Sequence, residues 1–121
     1  MTLMHKFLGA SAALALTAGT AAADPAILFD LGGKFDKSFN ESAYNGAERW
    51  ATETGGSYAE VEIQSDAQRE QAIRRFAESG ANPIVMAGFS WATPLAEVAA
   101  DYPETKFTII DMVVDAPNVR S

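Results

Sequence analysis

The chain alternates short apolar runs with longer stretches in which apolar residues recur every three or four positions. A short apolar run between turn residues is typical of a strand buried on both faces, as in a parallel sheet under helices. Four runs therefore predict strands, at residues 25–29, 58–63, 84–87 and 106–110. The second run differs from the others because its apolar and polar side chains alternate.

Three stretches between these runs have the apolar spacing of helices. The first begins near Ser38, and the face that its apolar residues share includes Trp50, which we expect in the core. The second begins at Ser65, which forms with Gln68 the spacing of a capping box. The third begins at Thr93, ahead of a proline at the first helical position.

Strands and helices thus follow one another in strict alternation along the chain. This order predicts an α/β fold with a parallel open sheet, right-handed crossovers and helices on both faces. Residues 112–121 follow the last predicted strand without a further helix to cover it. We therefore expect a truncated fold.

The N-terminal segment has the three parts of a secretory signal. His5 and Lys6 precede an uncharged apolar stretch, residues 7–18, and residues 21–23 are alanines that fit the cleavage rule. The stretch is shorter than the roughly 20 residues that span a bilayer. Because the chain has no cysteine, lipidation of a cysteine at the cleavage site is excluded. We expect a signal peptide at residues 1–23 and an exported lobe at residues 24–121 with no stable membrane anchor.

Charge and composition exclude several kinds of function. The net charge is −7 at pH 7, whereas nucleic acids and anionic membranes attract surfaces rich in Lys and Arg. The chain has no cysteine, and its one histidine, His5, lies in the predicted signal, so thiol and imidazole catalysis are not available. Asp30 and Asp36, across a glycine turn, are a weak pattern for a metal site. We expect no enzyme activity, no cofactor, no metal and no nucleic-acid partner.

Candidate ligand-binding residues lie where the predicted strands end. The carboxyl ends of parallel strands share one edge of the sheet, so residues distant in sequence can meet there around one ligand. The candidates at these ends are Asp30, Ser65, Asp66, Gly88, Phe89 and Asp111. The glycines that follow Asp30 do not form a nucleotide fingerprint, so a phosphate ligand is not expected.

Each candidate also has a purely structural interpretation. Asp30 is as well suited to cap the turn that follows it as to bind a ligand. Phe39 lies on the apolar face of the first helix, which favours the core, whereas its place in the first turn favours stacking on a flat ligand. Asn40 offers a donor and an acceptor beside it. Phe89 is either a lid or packing beneath its loop, and Asp111 needs either a ligand donor or a helix N-terminus.

Residues 30–46 follow the pattern D-x-G-G-x-x-D-x-S-F-N-x-x-A-x-x-G. In this pattern the chain closely resembles the BMP family, the basic membrane protein or PnrA-like substrate-binding proteins of ABC transporters. The likeness continues through residues 87–89 and 107–111. It implies a lobe of the periplasmic-binding-protein type I kind, two of which close on a nucleoside at a hinge. We expect this chain to contain the first lobe only.

The resemblance also implies roles for individual residues. Asp30 and Asp111 match residues that hydrogen-bond the ligand, and Phe39 matches the aromatic residue that stacks on the base. The motifs beside the pocket contain Asn40, Gly88 and Phe89.

The implied protein is a periplasmic, monomeric component of a Gram-negative cell, with a purine nucleoside as ligand and an ABC transporter permease as partner. Two alternatives stay open, an exported hydrolase that acts on nucleosides and a solute-sensing module for a membrane receptor. The hydrolase would need a dense aspartate cluster holding Ca²⁺ after the first strand, and residues 30–33 do not supply one.

Overall fold

The computed structural model of the protein describes residues 23–121. The predicted signal peptide therefore lies outside the described residues, apart from Ala23. The strands of the described part are β1 Ala26–Phe29, β2 Ala59–Glu62, β3 Ile84–Ala87, β4 Phe107–Ile110 and β5 Val119–Arg120. Its α-helices are α1 Phe39–Thr54, α2 Arg69–Glu78 and α3 Ala92–Val98. Short 3-10 turns occur at Asp66–Gln68, Phe89–Trp91 and Ala99–Asp101.

The strands form one parallel sheet in the order β2-β1-β3-β4-β5. The predicted α/β fold is confirmed, and β1 to β4 begin and end within one residue of the predicted bounds. The sequence did not predict β5, which pairs with β4 through Val119 opposite Phe107. Asn118 holds the start of β5 in place because its side-chain amide donates to the carbonyl groups of Ala99, Tyr102 and Thr105.

One face of the sheet packs against α2 and α3. Successive strand residues point to opposite faces, and Leu28, Met86 and Ile109 point to this one. They form a buried cluster with Ile73 of α2 and Leu95 of α3. Burying a side chain of this size contributes about 1.5–3 kcal/mol, so this face supplies the main core.

The other face of the sheet is covered only in part by α1. Trp50, Ile27, Val85 and Ile110 line an open apolar groove of about 430 Å³ between this helix and the sheet. Helices therefore lie on both faces, as predicted. The expectation that Trp50 lies in the core is wrong, because its exposed fraction is 39%. An apolar stripe identifies residues that share a helix face, and it does not require that the whole face be covered.

Two of the predicted helix starts differ in detail from the structure. The Ser65 side chain makes no capping bond, and Gln68 Oε1 accepts from the N–H of Gln64 at 2.7 Å instead of completing a capping box. The chain forms a 3-10 turn there before α2 begins. Thr93 is not a cap either, since α3 already begins at Ala92, directly after another 3-10 turn. In both places a 3-10 turn continues directly into the helix, and no side chain caps the start of the helix.

Candidate functional site

The sheet has a switch point between β1 and β3. The chain leaves β1 for β2 on one side and leaves β3 for β4 on the other, and ligands of open α/β sheets bind in the crevice at the carboxyl ends of such a strand pair. Asp30 directly follows β1 and Gly88 directly follows β3. Gly88 has a φ of +115°, and a Cβ built on it would lie 2.5 Å from Asp30 Oδ2. The structure thus brings these two predicted residues into contact at the switch point.

The Asp30 carboxylate is bound through one of its two oxygens. Oδ1 accepts from the N–H of Leu31 at 2.7 Å and from Arg69 Nη2 at 2.6 Å. Within residues 23–121, no group donates a hydrogen bond to Oδ2. The side chain is 21% exposed. Oδ2 is therefore the oxygen that remains free to accept a bond from a ligand.

Asn40 holds the backbone on which Asp30 sits. Its side chain is buried, with 1% exposure. Oδ1 accepts from the N–H of Asp30 at 2.9 Å, and Nδ2 donates to the carbonyl groups of Asp30 and Leu31 at 3.1 and 3.3 Å. The amide is thus occupied by the loop after β1. The predicted Asn40 lies beside the site, and its geometry gives it a supporting role.

Asp36 caps the N-terminus of α1. Its carboxylate accepts from the backbone N–H groups of Ser38, Asn40 and Glu41 at 2.8, 3.2 and 3.1 Å. Partial burial raises the pKa of Asp36, but the bonds from these N–H groups outweigh it and hold the pKa below its ordinary value of 3.8. From the sequence alone, Asp36 was a candidate only for a weak metal site with Asp30. The preference of Asp for positions before a helix was the signal that could have revealed its role.

Phe39 and Phe89 present their rings to the surface near the ends of β1 and β3. Phe39 is the first residue of α1 and is 42% exposed, and Phe89 follows Gly88 and is 61% exposed. The large exposed apolar side chains that follow β1, β3 and β4 are Leu31, Phe35, Phe39, Phe89, Met112 and Val113. We call this set the strand-end patch. Large exposed apolar side chains after strands that end at one edge of a sheet make that edge a candidate binding surface.

Asp111 stands at the end of β4, on the same edge of the sheet. The N–H of Gly88 donates to the carbonyl of Ile110 at 3.2 Å, which ties the ends of β3 and β4 together. Asp111 is exposed and has a φ of +75°. Its carboxylate pairs with no donor in the described part of the chain. Asp30, Gly88 and Asp111 therefore line three adjacent strand ends.

Arg69 adjoins the candidate site through Asp30, and its position was not predicted from the sequence. It is the first residue of α2, and it is buried, with 3% exposure. Its guanidinium reaches Asp30 as described above, and Nε also donates to Asp66 Oδ1 at 2.8 Å. The predicted candidate Asp66 thus pairs with Arg69, whereas Ser65 is exposed. The burial of Arg69 could not be read from the local sequence, because its partner Asp30 lies 39 residues away along the chain.

The assembled groups are suited to binding. The site offers carboxylate acceptors and aromatic faces. The described residues contain no group of three or more side chains placed to hold a metal ion. Among the helices of residues 23–121, none has the length and hydropathy needed to cross a membrane.

Comparison with known proteins identifies relatives of the chain. Residues 24–121 match the family described as ABC transporter substrate-binding protein PnrA-like. An uncharacterised lipoprotein of Pyrococcus furiosus is 46% identical over 90 residues, which cover 71% of this chain and 22% of the relative. The ABC transporter nucleoside-binding protein BmpA of Lactococcus lactis is 30% identical over 101 residues, which cover 79% of this chain and 29% of that protein. The chain thus spans about a quarter of the length of these relatives.

The solved structures that resemble the chain agree with the family found from its sequence. An ABC transporter solute-binding protein of Aeropyrum pernix superposes with a TM-score of 0.76 at 39% identity, over 81% of this chain and 27% of that one. A 5-methylthioribose transporter solute-binding protein of Thermotoga lettingae, at 24% identity and a TM-score of 0.62, shares the fold. The expected resemblance to this family is confirmed. The family and the Aeropyrum pernix structure are described as substrate-binding and solute-binding proteins, which agrees with the expectation of no enzyme activity. The chain belongs to the PnrA-like family of ABC transporter substrate-binding proteins, also called the BMP family.

Proposed function

We propose that this lobe binds a purine nucleoside for an ABC importer, through closure of a second lobe over the strand-end patch. One observation carries the proposal: Oδ2 of Asp30 accepts no bond from residues 23–121, while Phe39, next to the Asn40 that binds the Asp30 backbone, exposes its ring. A nucleoside offers a flat base for the ring and N–H or O–H donors for the carboxylate. The nucleoside-binding BmpA of Lactococcus lactis is a relative that supports this ligand class.

The charge of the site favours a neutral ligand over a phosphorylated one. Asp30 and Asp111 both lie at this edge of the sheet, and the cation that pairs with Asp30, Arg69, is buried and also binds Asp66. An anion there would meet carboxylates without a free partner, and like charges repel at short range. We therefore propose a nucleoside ligand and not a nucleotide.

The strand-end patch supports the second part of the proposal. Phe35, Phe89 and Val113 are all more than half exposed, and apolar area of this kind gains free energy when another surface covers it. Closure of a second lobe would cover both the patch and the ligand. We further propose that the protein acts as a monomer in the periplasm after cleavage of a signal peptide, and that it delivers the ligand to a permease.

Titration of the ¹⁵N-labelled protein with inosine tests the proposal. We expect the amide signals of Leu31, Phe39, Gly88 and Phe89 to shift, with a dissociation constant weaker than about 10 μM because one lobe supplies only part of the contacts. Inosine monophosphate is the matched control and should bind more weakly. No shift at millimolar inosine, shifts confined to the groove beside Trp50, or tighter binding of the monophosphate would contradict the proposal.

A further inference from the structure

Arg69 joins three of the loops that follow the strands. Its Nη2 atom lies 2.6 Å from Oδ1 of Asp30, after β1, and its Nε atom lies 2.8 Å from Oδ1 of Asp66, after β2. The guanidinium carbon lies 4.9 Å from the centre of the Trp91 ring, after β3. Trp91 is fully buried. One side chain therefore connects the loops that surround the switch point.

Stability alone does not account for this arrangement. The Arg69 side chain is 4% exposed, and burying a guanidinium costs free energy that ion pairs only partly offset. Nη1 of Arg69 and Nε1 of Trp91 are both buried, and neither has an acceptor among the described residues. Asp66 is 77% exposed, so water weakens that pair. An apolar side chain of similar size would fill the same space without these costs.

The effect of Arg69 on Asp30 is more specific. Two donors, Arg69 Nη2 and the N–H of Leu31, converge on Oδ1 and fix the plane of the carboxylate. Gly88 lies against Oδ2 and leaves it without a protein donor. The carboxylate is thus oriented before any ligand arrives, and a group that is already oriented loses little entropy on binding.

We propose that Arg69 is a positioning residue, which fixes Oδ1 of Asp30 so that Oδ2 accepts a hydrogen bond from the ligand. The inference rests on the proposed function, since it assigns to Arg69 the orientation of the carboxylate that binds the nucleoside. Arg69 itself does not touch the ligand, because its side chain is buried beneath Asp30 and Trp91.

Inosine titrations of four variants test the inference. R69M should weaken binding about tenfold, because the Asp30 carboxylate loses the donor that orients it. R69K should weaken binding less, because lysine keeps the positive charge although it lacks the planar guanidinium group. R75M, an exposed arginine of the same helix, is the matched control and should change binding less than about twofold. In the D30N background, adding R69M should have little further effect. Unchanged binding by R69M, or an effect that simply adds to that of D30N, would overturn the inference.

A readout without ligand separates this inference from the proposed function. The N–H of Leu31 donates to the same Oδ1 that Arg69 holds. In R69M the Leu31 amide should exchange with solvent faster and change its chemical shift, while in R75M it should not. If no nucleoside binds the unmodified protein, the proposed function is wrong. The exchange rate and chemical shift of the Leu31 amide still show whether Arg69 positions the Asp30 carboxylate. An unaltered Leu31 signal in R69M would overturn the positioning role.

Discussion

Asp30 and Asp111 hold equivalent places in the fold, since each is the first residue after a strand of the same sheet. Their surroundings differ. Asp30 is tied to Leu31, Arg69 and Asn40, whereas Asp111 is exposed, has a positive φ and pairs with no donor in residues 23–121. One carboxylate is held by the lobe, and the other is unpaired in the part of the chain that the structure describes. The difference distinguishes a residue whose orientation the fold fixes from a residue that we propose only the ligand engages.

The largest effect should come from removing the support of Asp30. We expect N40A to lower the free energy of unfolding by about 3 kcal/mol, because the N–H and carbonyl groups of Asp30 lose their buried partner. Urea denaturation measures the change. Asn45, exposed on the same helix, is the control, and N45A should cost less than about 0.5 kcal/mol. Equal effects of the two variants would mean that the Asp30 loop is not held as described.

A smaller effect should come from crowding Asp30. G88A places a Cβ 2.5 Å from Oδ2 at a φ of +115°, and we expect it to cost about 1–3 kcal/mol of stability and to displace the carboxylate. Gly46 of α1 is the matched control, because a Cβ there meets nothing within 4 Å. Thermal unfolding should show G46A stabilised by about 0.5–1 kcal/mol. A G88A variant as stable as G46A would show that Gly88 does not lie against Asp30.

The smallest effect on stability should come from the unpaired aspartate. D111G should change the free energy of unfolding by less than about 1 kcal/mol, because glycine adopts the φ of +75° freely and no protein bond is lost. The same variant should weaken inosine binding about tenfold. Denaturation and titration of one sample measure both quantities. A large loss of stability would show that Asp111 is structural, and unchanged affinity would remove it from the site.

The sequence predicted the parts of this comparison that depend on local pattern. The apolar runs located β1, β3 and β4, and the strand-end rule then placed Asp30, Gly88 and Asp111 on one edge. Phe39 was ambiguous from its position in the sequence, and its 42% exposure in the structure argues against a place in the core.

The parts that depend on tertiary contacts were not predictable. Arg69 is polar and begins a helix, and its burial follows from the approach of Asp30 and Trp91 across the chain. The spacing of Trp50 along α1 predicts a core residue, but the sheet leaves the outer part of that helix face open. Strand β5 was not predictable, because two residues are too few to show an apolar run or an alternation of apolar and polar residues.

We propose that the ends of β1, β3 and β4 form the ligand site, with Phe39 as the stacking surface. Intermolecular nuclear Overhauser effects between bound inosine and the protein test it most directly. We predict contacts from the base protons to the ring of Phe39, together with contacts to Gly88. Contacts to Trp50 and Ile27 in the apolar groove, with none to Phe39, would contradict it.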